Sequence, residues 1–162
     1  MPGLLKQLQA MLGDTYAKGD LFENYVIDHF PQEFFKILHA TTRRDDLGGR
    51  QIESAKNPDF HLQHIPSGHK FWVEAKFRRD LFQNKLVWCK EFQLKRYKEF
   101  QEEVRPEKVF IVIGLGGRPT SPETMYCIPL DEIEYVGLYL NKIEHYRRDP
   151  TAEFRYRNGV LF

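Results

Sequence analysis

The stretch Asn57-Pro58-Asp59-Phe60, followed by Trp72-Val73-Glu74-Ala75-Lys76, predicts a β-hairpin at the centre of this protein. The segment between the two stretches, 65–69 (IPSGH), has the proline, glycine and serine that are typical of a tight turn. A turn at this position would fold the aspartate of the first stretch back toward the glutamate of the second.

The side-chain pattern of the second stretch predicts what each face of that strand does. Because successive side chains of a strand point to opposite faces, Glu74 and Lys76 are predicted to share one face. Val73, Ala75 and Phe77 then point the other way, into a core. Two neighbouring carboxylates provide the hard oxygen ligands that Mg2+ or Mn2+ prefers, and a nearby ammonium stabilises an anionic transition state. These residues therefore predict metal-dependent hydrolysis of phosphodiester bonds.

The composition of the whole chain is that of an ordinary globular protein. Its 162 residues are 41% hydrophobic and 29% charged, which suits one domain over 1–162 with a single core. The formal net charge of +1 argues against a strongly basic protein that wraps nucleic acid. Binding to nucleic acid would therefore depend on local basic patches.

Membrane and disulfide signals are weak in this sequence. The longest apolar run, Val109 to Leu115, is far shorter than the roughly 20 residues that a spanning helix needs. The first residues lack the basic start and long apolar core of a secretory signal, so we expect a cytoplasmic protein with no membrane association. Cys89 and Cys127 have no CxxC or Cys/His spacing, and they are predicted to be reduced, partly buried thiols.

Periodicity predicts an α/β fold with a central mixed β-sheet flanked by helices. The predicted helices cover residues 4–12, 15–29 and 88–104, and the predicted strands cover 34–40, 59–65, 70–78, 108–115 and 124–129. The strand 108–115 (KVFIVIGL) is continuously apolar, which is typical of a central strand buried on both faces. Two loops are predicted, over 41–57 and in the glycine-rich segment 114–123. Segment 130–141 is ambiguous and contains at most a short helix, and 154–162 predicts a small terminal hairpin around Asn158-Gly159.

Pro58-Asp59, followed by Glu74-Ala75-Lys76 at the end of a strand, resembles the active-site pattern of the PD-(D/E)XK nuclease superfamily. Glu23 lies upstream in the first long helix, as in many of these nucleases. Downstream, Gln93 and Tyr97 resemble the QxxxY motif of the RecB-like or Holliday-junction-resolvase-like branch. The resemblance implies a restriction-endonuclease-like αβββαβ core and a Mg2+-dependent (or Mn2+-dependent) deoxyribonuclease without an organic cofactor.

The resemblance also implies a role for each matching residue. Asp59, Glu74 and the carbonyl of Ala75 would bind the metal, and Glu23 would complete the metal shell directly or through water. Lys76 would orient the attacking water, offset charge on the transition state, or take a proton.

Auxiliary roles follow for a second set of residues. Gln93 and Tyr97 would position the catalytic lysine or contact the nucleic-acid backbone. The best candidates for phosphate contacts with DNA are Arg78, Arg79 and Lys95. A homodimer is also possible, because two cuts in a duplex need two active sites.

Other interpretations of the same residues remain open. Asp59 would then be only the residue that begins a strand after a proline. Glu74 and Lys76 would lie on the solvent-exposed face of an edge strand. The chain would then be a catalytically inactive nucleic-acid-binding or protein-interaction module on the same fold. Hydrolysis of a different phosphate ester is a third interpretation. The spacing of His61, His64 and His69 does not match a zinc site.

Overall fold

The computed structural model describes residues 2–12, 20–41 and 57–162 of the chain. The helices in these ranges are α1 (Leu5–Leu12), α2 (Leu21–Asp28), α3 (Glu91–Val104) and α4 (Leu140–Ile143). The strands are β1 (Phe35–Ala40), β2 (Phe60–His64), β3 (Lys70–Arg78), β4 (Leu86–Val87), β5 (Lys108–Arg118), β6 (Ser121–Pro129), β7 (Gly137–Leu138), β8 (Arg147–Arg148), β9 (Tyr156–Arg157) and β10 (Val160–Leu161). Short 3-10 turns cover Leu130–Glu132 and Glu144–Tyr146.

Six strands form one mixed sheet in the order β1-β2-β3-β5-β6-β8. All neighbours are antiparallel except β3 and β5, which run parallel. Parallel neighbours need a long crossover connection, and α3 lies in the connection between β3 and β5. The predicted central mixed sheet flanked by helices is confirmed.

The predicted hairpin is confirmed as β2 and β3. Phe60 pairs with Val73 and Gln63 pairs with Lys70 across an antiparallel ladder. The turn between them includes Gly68, whose φ of 75° is the left-handed conformation that glycine adopts without strain. The hairpin register therefore sets which residues of β2 and β3 lie side by side.

Hydrophobic clusters cover both faces of the sheet. The cluster on one face includes α1 and α2 together with Val73 and Ala75 of β3. The cluster on the other face includes α3 together with Trp72 of the same strand. The predicted alternation along β3 is confirmed, and residues 109–113 of β5 are buried on both faces as the continuous apolar run predicted.

Two predicted boundaries are wrong. The segment 114–123 is not an extended loop, because β5 continues to Arg118 and β6 begins at Ser121. Strand pairing overrides the local glycine signal there, with Gly117 opposite Pro122. Helix α3 begins at Glu91 and not at residue 88, because the backbone N–H of Trp88 bonds to the carbonyl of Val136 outside the helix.

The terminal segment agrees with its prediction, whereas helix α2 begins at Leu21 and not at residue 15, because Asp20 has an extended backbone and caps the helix. Asp20 is the N-cap of α2, and its Oδ1 accepts a hydrogen bond of 2.9 Å from the backbone N–H of Glu23. The earlier part of the predicted helix, 15–19, and most of the predicted loop, 42–56, lie outside the described residues. The terminal hairpin is confirmed as β9 and β10, with positive φ angles at Asn158 and Gly159.

The ambiguous segment 130–141 contains a 3-10 turn, strand β7 and the start of α4. Across residues 2–12, 20–41 and 57–162, none of the helices has both the length and the apolar character needed to cross a membrane.

Candidate active site

Asp59 lies at the start of β2, where it meets the backbone of β3. Its side chain is buried, and Oδ2 accepts a hydrogen bond of 2.8 Å from the backbone N–H of Ala75. Since Phe60 pairs with Val73, the antiparallel register brings Asp59 level with Glu74. The fold of the hairpin therefore brings the predicted acidic pair together.

The backbone at Asp59 is held from the other side by the residue that follows β1. Thr41 donates its backbone N–H to the carbonyl of Asp59 at 2.8 Å. The hydroxyl of Thr41 also donates to the carbonyl of Pro58 at 2.8 Å. These two bonds fix the chain where it enters β2, so the aspartate is positioned by strands on both sides.

Glu74 and Lys76 share the face of β3 that packs toward α3, as predicted. The exposed fraction of the side chain is 1% for Glu74 and 10% for Lys76, and Lys76 Nζ lies 3.7 Å from Glu74 Oε1. Strand β3 is an interior strand, between β2 and β5. The interpretation of this pair as the solvated face of an edge strand is therefore wrong.

Glu23 is also buried, on helix α2, which packs against β3. Its burial differs from the solvent-facing position that a glutamate in a helix usually has. Among the described residues, however, no group of three or more His, Cys, Asp or Glu side chains is arranged to hold a metal ion. Direct ligation by Glu23, alongside Asp59 and Glu74, stays a prediction.

The chemistry of the donor set fits Mg2+. Of the five buried polar or charged residues in the described part of the chain, three are acids, namely Glu23, Asp59 and Glu74. Buried acids are rare in proteins unless they are paired or bind a cation. Mg2+ is commonly held by one or two carboxylates together with water and substrate oxygens, so Asp59 and Glu74 are sufficient as side-chain ligands. The carbonyl of Ala75 is a further candidate ligand on the same strand.

Aromatic rings form the wall beside the lysine. The Lys76 ammonium nitrogen lies 6.0 Å from the centre of the Tyr97 ring. Tyr97 is stacked on Trp88, with ring centres 5.8 Å apart and planes 18° from parallel. The motif predicted a role for Tyr97 near the lysine, whereas Trp88 was assigned only to the helical pattern. No local signal marked Trp88 for this place, because its contact with Tyr97 depends on the tertiary packing.

The other auxiliary residues separate into two groups. Gln93 Oε1 accepts a hydrogen bond of 2.9 Å from the backbone N–H of Lys90, so its side chain caps the start of α3. Arg78 donates from all three guanidinium nitrogens to backbone carbonyls, at 2.8 Å to Phe77, 2.9 Å to Val87 and 2.6 Å to Trp88. This geometry gives Arg78 a structural role and does not favour the predicted phosphate contact.

The remaining phosphate-contact candidates, Arg79 and Lys95, are both exposed. Exposure leaves them accessible to a polyanion, as the prediction requires.

Cys89 lies beside the candidate site but is not equipped to act as a nucleophile. Burial raises the pKa of its thiol to about 12, although the nearby Lys76 and Arg78 act to lower it. Burial likewise raises the pKa of Cys127 to about 12. Cys89 and Cys127 are both buried, and neither is paired in a disulfide bond.

The histidines of the hairpin have different hydrogen-bond partners. His61 Nε2 bonds to Glu107 at 2.7 Å, His64 bonds to Ser67 and His69 bonds to Tyr156. The rings of His64 and His69 also both contact the ring of Tyr156, at 5.0 Å and 5.7 Å between ring centres.

No protein-family model matches this sequence, and no curated protein matches it.

Proposed function

We propose that this protein is a Mg2+-dependent deoxyribonuclease with a PD-(D/E)XK active site. The observation that carries the proposal is the arrangement of two buried carboxylates, Asp59 and Glu74, on adjacent strands, with Lys76 3.7 Å from the second. Such a site would hold a hard cation and a positive side chain at one place, and both would stabilise the negative charge that develops during hydrolysis of a phosphodiester.

The order of the elements supports a restriction-endonuclease-like core. Helix α2 is followed by β1, β2 and β3, then, after the two-residue strand β4 of a separate sheet, by α3 and β5. Within the six-stranded sheet this order is compatible with the αβββαβ arrangement that the motif implies, with Asp59 directly before the second strand and Glu74 and Lys76 on the third. Fold alone carries no reaction, so the side chains at this position remain the main support.

The metal would be held by Asp59, Glu74 and the carbonyl of Ala75, with Glu23 as a further candidate. When bound, Mg2+ polarises the phosphate and makes water more acidic. The carboxylate of Asp59 is held in place without a ligand, because the amide of Ala75 donates a hydrogen bond to it.

Lys76 provides the second charge of the site. Its ammonium lies between the Glu74 carboxylate and the Tyr97 ring, and its side chain is mostly withdrawn from water. An ammonium held in such an environment interacts strongly with an anionic phosphate, since water screens the interaction less. We assign it the role of stabilising the negative charge of the transition state and of orienting the attacking water.

Cleavage of plasmid and oligonucleotide DNA with Mg2+ or Mn2+, with EDTA as the metal-free control, tests the proposal. We expect Asp59→Asn and Lys76→Met each to lower the rate by at least about 100-fold, because each removes a charge that acts on the reacting phosphate. Lys70→Met is the matched control, since Lys70 is exposed at the start of the same strand. Asp80→Asn, on an exposed residue after β3, controls for the aspartate.

Equal activity in the wild type and both site variants would overturn the assignment. A fully inactive wild type that still binds DNA would favour the non-catalytic binding module. A panel of nucleotides and phosphomonoesters distinguishes a nuclease from a hydrolase of other phosphate esters, and the oligomeric state during cleavage tests the homodimer.

A further inference from the structure

An open, mostly apolar pocket of about 710 Å³ lies on the α3 side of the molecule. Its walls come from strands β4 and β7, from the turn 82–85 and from segment 132–146. This volume is within the range of about 300–1,000 Å³ typical of small-ligand sites. None of the residues assigned to the proposed metal site lines it.

Three of the aromatic side chains that line the pocket are unusually exposed. The exposed fraction is 65% for Phe82, 68% for Tyr135 and 50% for Tyr139. The turn that carries Phe82 is rigid, because Phe82 and Lys85 exchange two backbone hydrogen bonds across Gln83 and Asn84. Clustered exposed aromatic rings in a concavity indicate a binding site, and such rings stack on any nucleobase.

A single tryptophan connects this pocket to the candidate active site. Trp88 donates its indole N–H to the carbonyl of Tyr135 at 3.2 Å and its backbone N–H to the carbonyl of Val136 at 3.0 Å. The same indole stacks on Tyr97, whose ring faces the ammonium of Lys76. The buried Trp88 therefore contacts both the wall of the pocket and the ring beside the lysine, so the side chains of Trp88 and Tyr97 lie between the pocket and the candidate active site.

The charges around the pocket decide which part of a nucleotide would enter. Lys85 and Lys142 contribute two positive charges, whereas Glu91, Glu132 and Glu134 contribute three negative charges. Lys85 also lies 5.2 Å from the centre of the Tyr139 ring. This balance disfavours a phosphate inside the pocket but tolerates an uncharged, planar group. The pocket is suited to a base, with the backbone outside.

We propose that this pocket binds an unpaired nucleobase of the strand that the candidate site cleaves. The inference rests on the proposed nuclease function and narrows its substrate class to DNA with unpaired nucleotides: single strands, flaps or frayed ends. A base inside a duplex is stacked on both faces and paired at its edge, so it does not reach an aromatic pocket without being extruded.

Equilibrium binding without cleavage tests the proposal directly. Fluorescence anisotropy in EDTA, with a labelled mixed-sequence single strand and the matching duplex as probes, should show tighter binding of the single strand. We expect the double variant Tyr135→Ala/Tyr139→Ala to weaken single-strand binding by about tenfold or more, since aromatic platforms contribute that much per stacked base. Duplex binding should not change. The substitution at position 135 retains the backbone carbonyl that Trp88 uses.

The matched control is Phe34→Ala/Phe162→Ala, which removes two exposed aromatic rings from a different pocket. A second expected result is a weak dependence of the affinity on salt. The affinity for the single strand should fall about threefold when the salt concentration rises fourfold, which is the change expected when the protein neutralises one phosphate.

Three results would each overturn the pocket assignment: unchanged single-strand binding by the Tyr135/Tyr139 variant, equal affinity of the wild type for the duplex, or no binding by the wild type. If Asp59→Asn loses cleavage but still binds the single strand, both proposals are supported. If the wild type binds single strands but does not cleave them, only the proposed nuclease function is overturned.

Discussion

The carboxylate of Asp59 accepts a hydrogen bond of 2.8 Å from the backbone amide of Ala75, the residue between Glu74 and Lys76. This bond joins the residue just before β2 to the C-terminal half of β3. Glu74 and Lys76 lie on the interior strand β3, and Asp59 lies directly before its interior neighbour β2, where backbone hydrogen bonds restrict movement. Sites built on strands hold their geometry better than sites built on loops.

The bond to Ala75 predicts different stabilities for two substitutions of Asp59. Asp59→Asn retains an oxygen acceptor, whereas Asp59→Ala leaves a buried amide without its partner and should cost about 1–3 kcal/mol more in the free energy of unfolding. Urea denaturation of the two variants measures the difference. Equal stability of the two variants would show that the hydrogen bond to Ala75 contributes nothing to the free energy of unfolding. Both variants should be inactive in cleavage.

Substitutions of Arg78 and Arg79, which follow the candidate lysine in the chain, should differ in their effect on the free energy of unfolding. Arg78→Ala removes three bonds to the carbonyls of Phe77, Val87 and Trp88, and should lower the free energy of unfolding by about 2–3 kcal/mol. Arg79→Ala alters an exposed residue and should stay within about 0.5 kcal/mol of the wild type. Thermal or urea unfolding compares them. A small effect of Arg78→Ala would contradict the structural role assigned to this side chain.

Gly114 permits the close approach of helix α2 to β5. A Cβ at this position would lie 2.6 Å from Cε1 and 2.9 Å from Cζ of Phe22, next to Glu23. Gly114→Ala should therefore destabilise the protein by about 1–3 kcal/mol through overpacking. Gly68→Ala is the comparison, because its site is open and only its φ of 75° is unfavourable, at a cost of about 1–2 kcal/mol.

The double variant Gly114→Ala/Phe22→Leu separates overpacking from other causes. If the clash with the ring accounts for the loss, the smaller side chain should recover part of the stability lost in Gly114→Ala. Stability that falls by the sum of the two single changes would contradict this explanation.

Stability should fall on mild acidification because of His61. Burial lowers the pKa of His61 below its ordinary value of 6.5, and the neighbouring Glu107 only partly opposes this effect. The unfolded chain then binds more protons than the folded protein, so the free energy of unfolding decreases as the pH falls through 6.5 toward the lowered pKa. Urea unfolding measured across this range gives the slope.

The variant His61→Phe isolates this contribution. It retains a ring that stacks on Trp72, where the histidine ring centre lies 4.0 Å away, but it removes the titrating group. The pH slope should flatten but not vanish, because burial also lowers the pKa of His64. An unchanged slope in His61→Phe would contradict the assignment, and the exposed His145→Phe is the control.

The sequence by itself determined the elements whose signals are local. Alternation in Trp72-Val73-Glu74-Ala75-Lys76 defined the two faces of β3, and the apolar run 109–113 defined a strand buried on both faces. The hairpin turn at 65–69 and the terminal turn at Asn158-Gly159 were also predictable, because each depends on residues adjacent in the chain. The acidic pair followed from the register that this hairpin imposes.

Only the tertiary structure decided the features that depend on distant segments. The glycines at 114–117 indicated a loop, yet pairing with β6 extends β5 to Arg118. Arg78 was expected to face DNA, yet the carbonyls of Val87 and Trp88 occupy its guanidinium. The aromatic pocket joins the turn 82–85 to segment 132–146, and no local periodicity links them. Side-chain partners across such separations are set by packing of the whole fold, which a residue's neighbours in sequence do not encode.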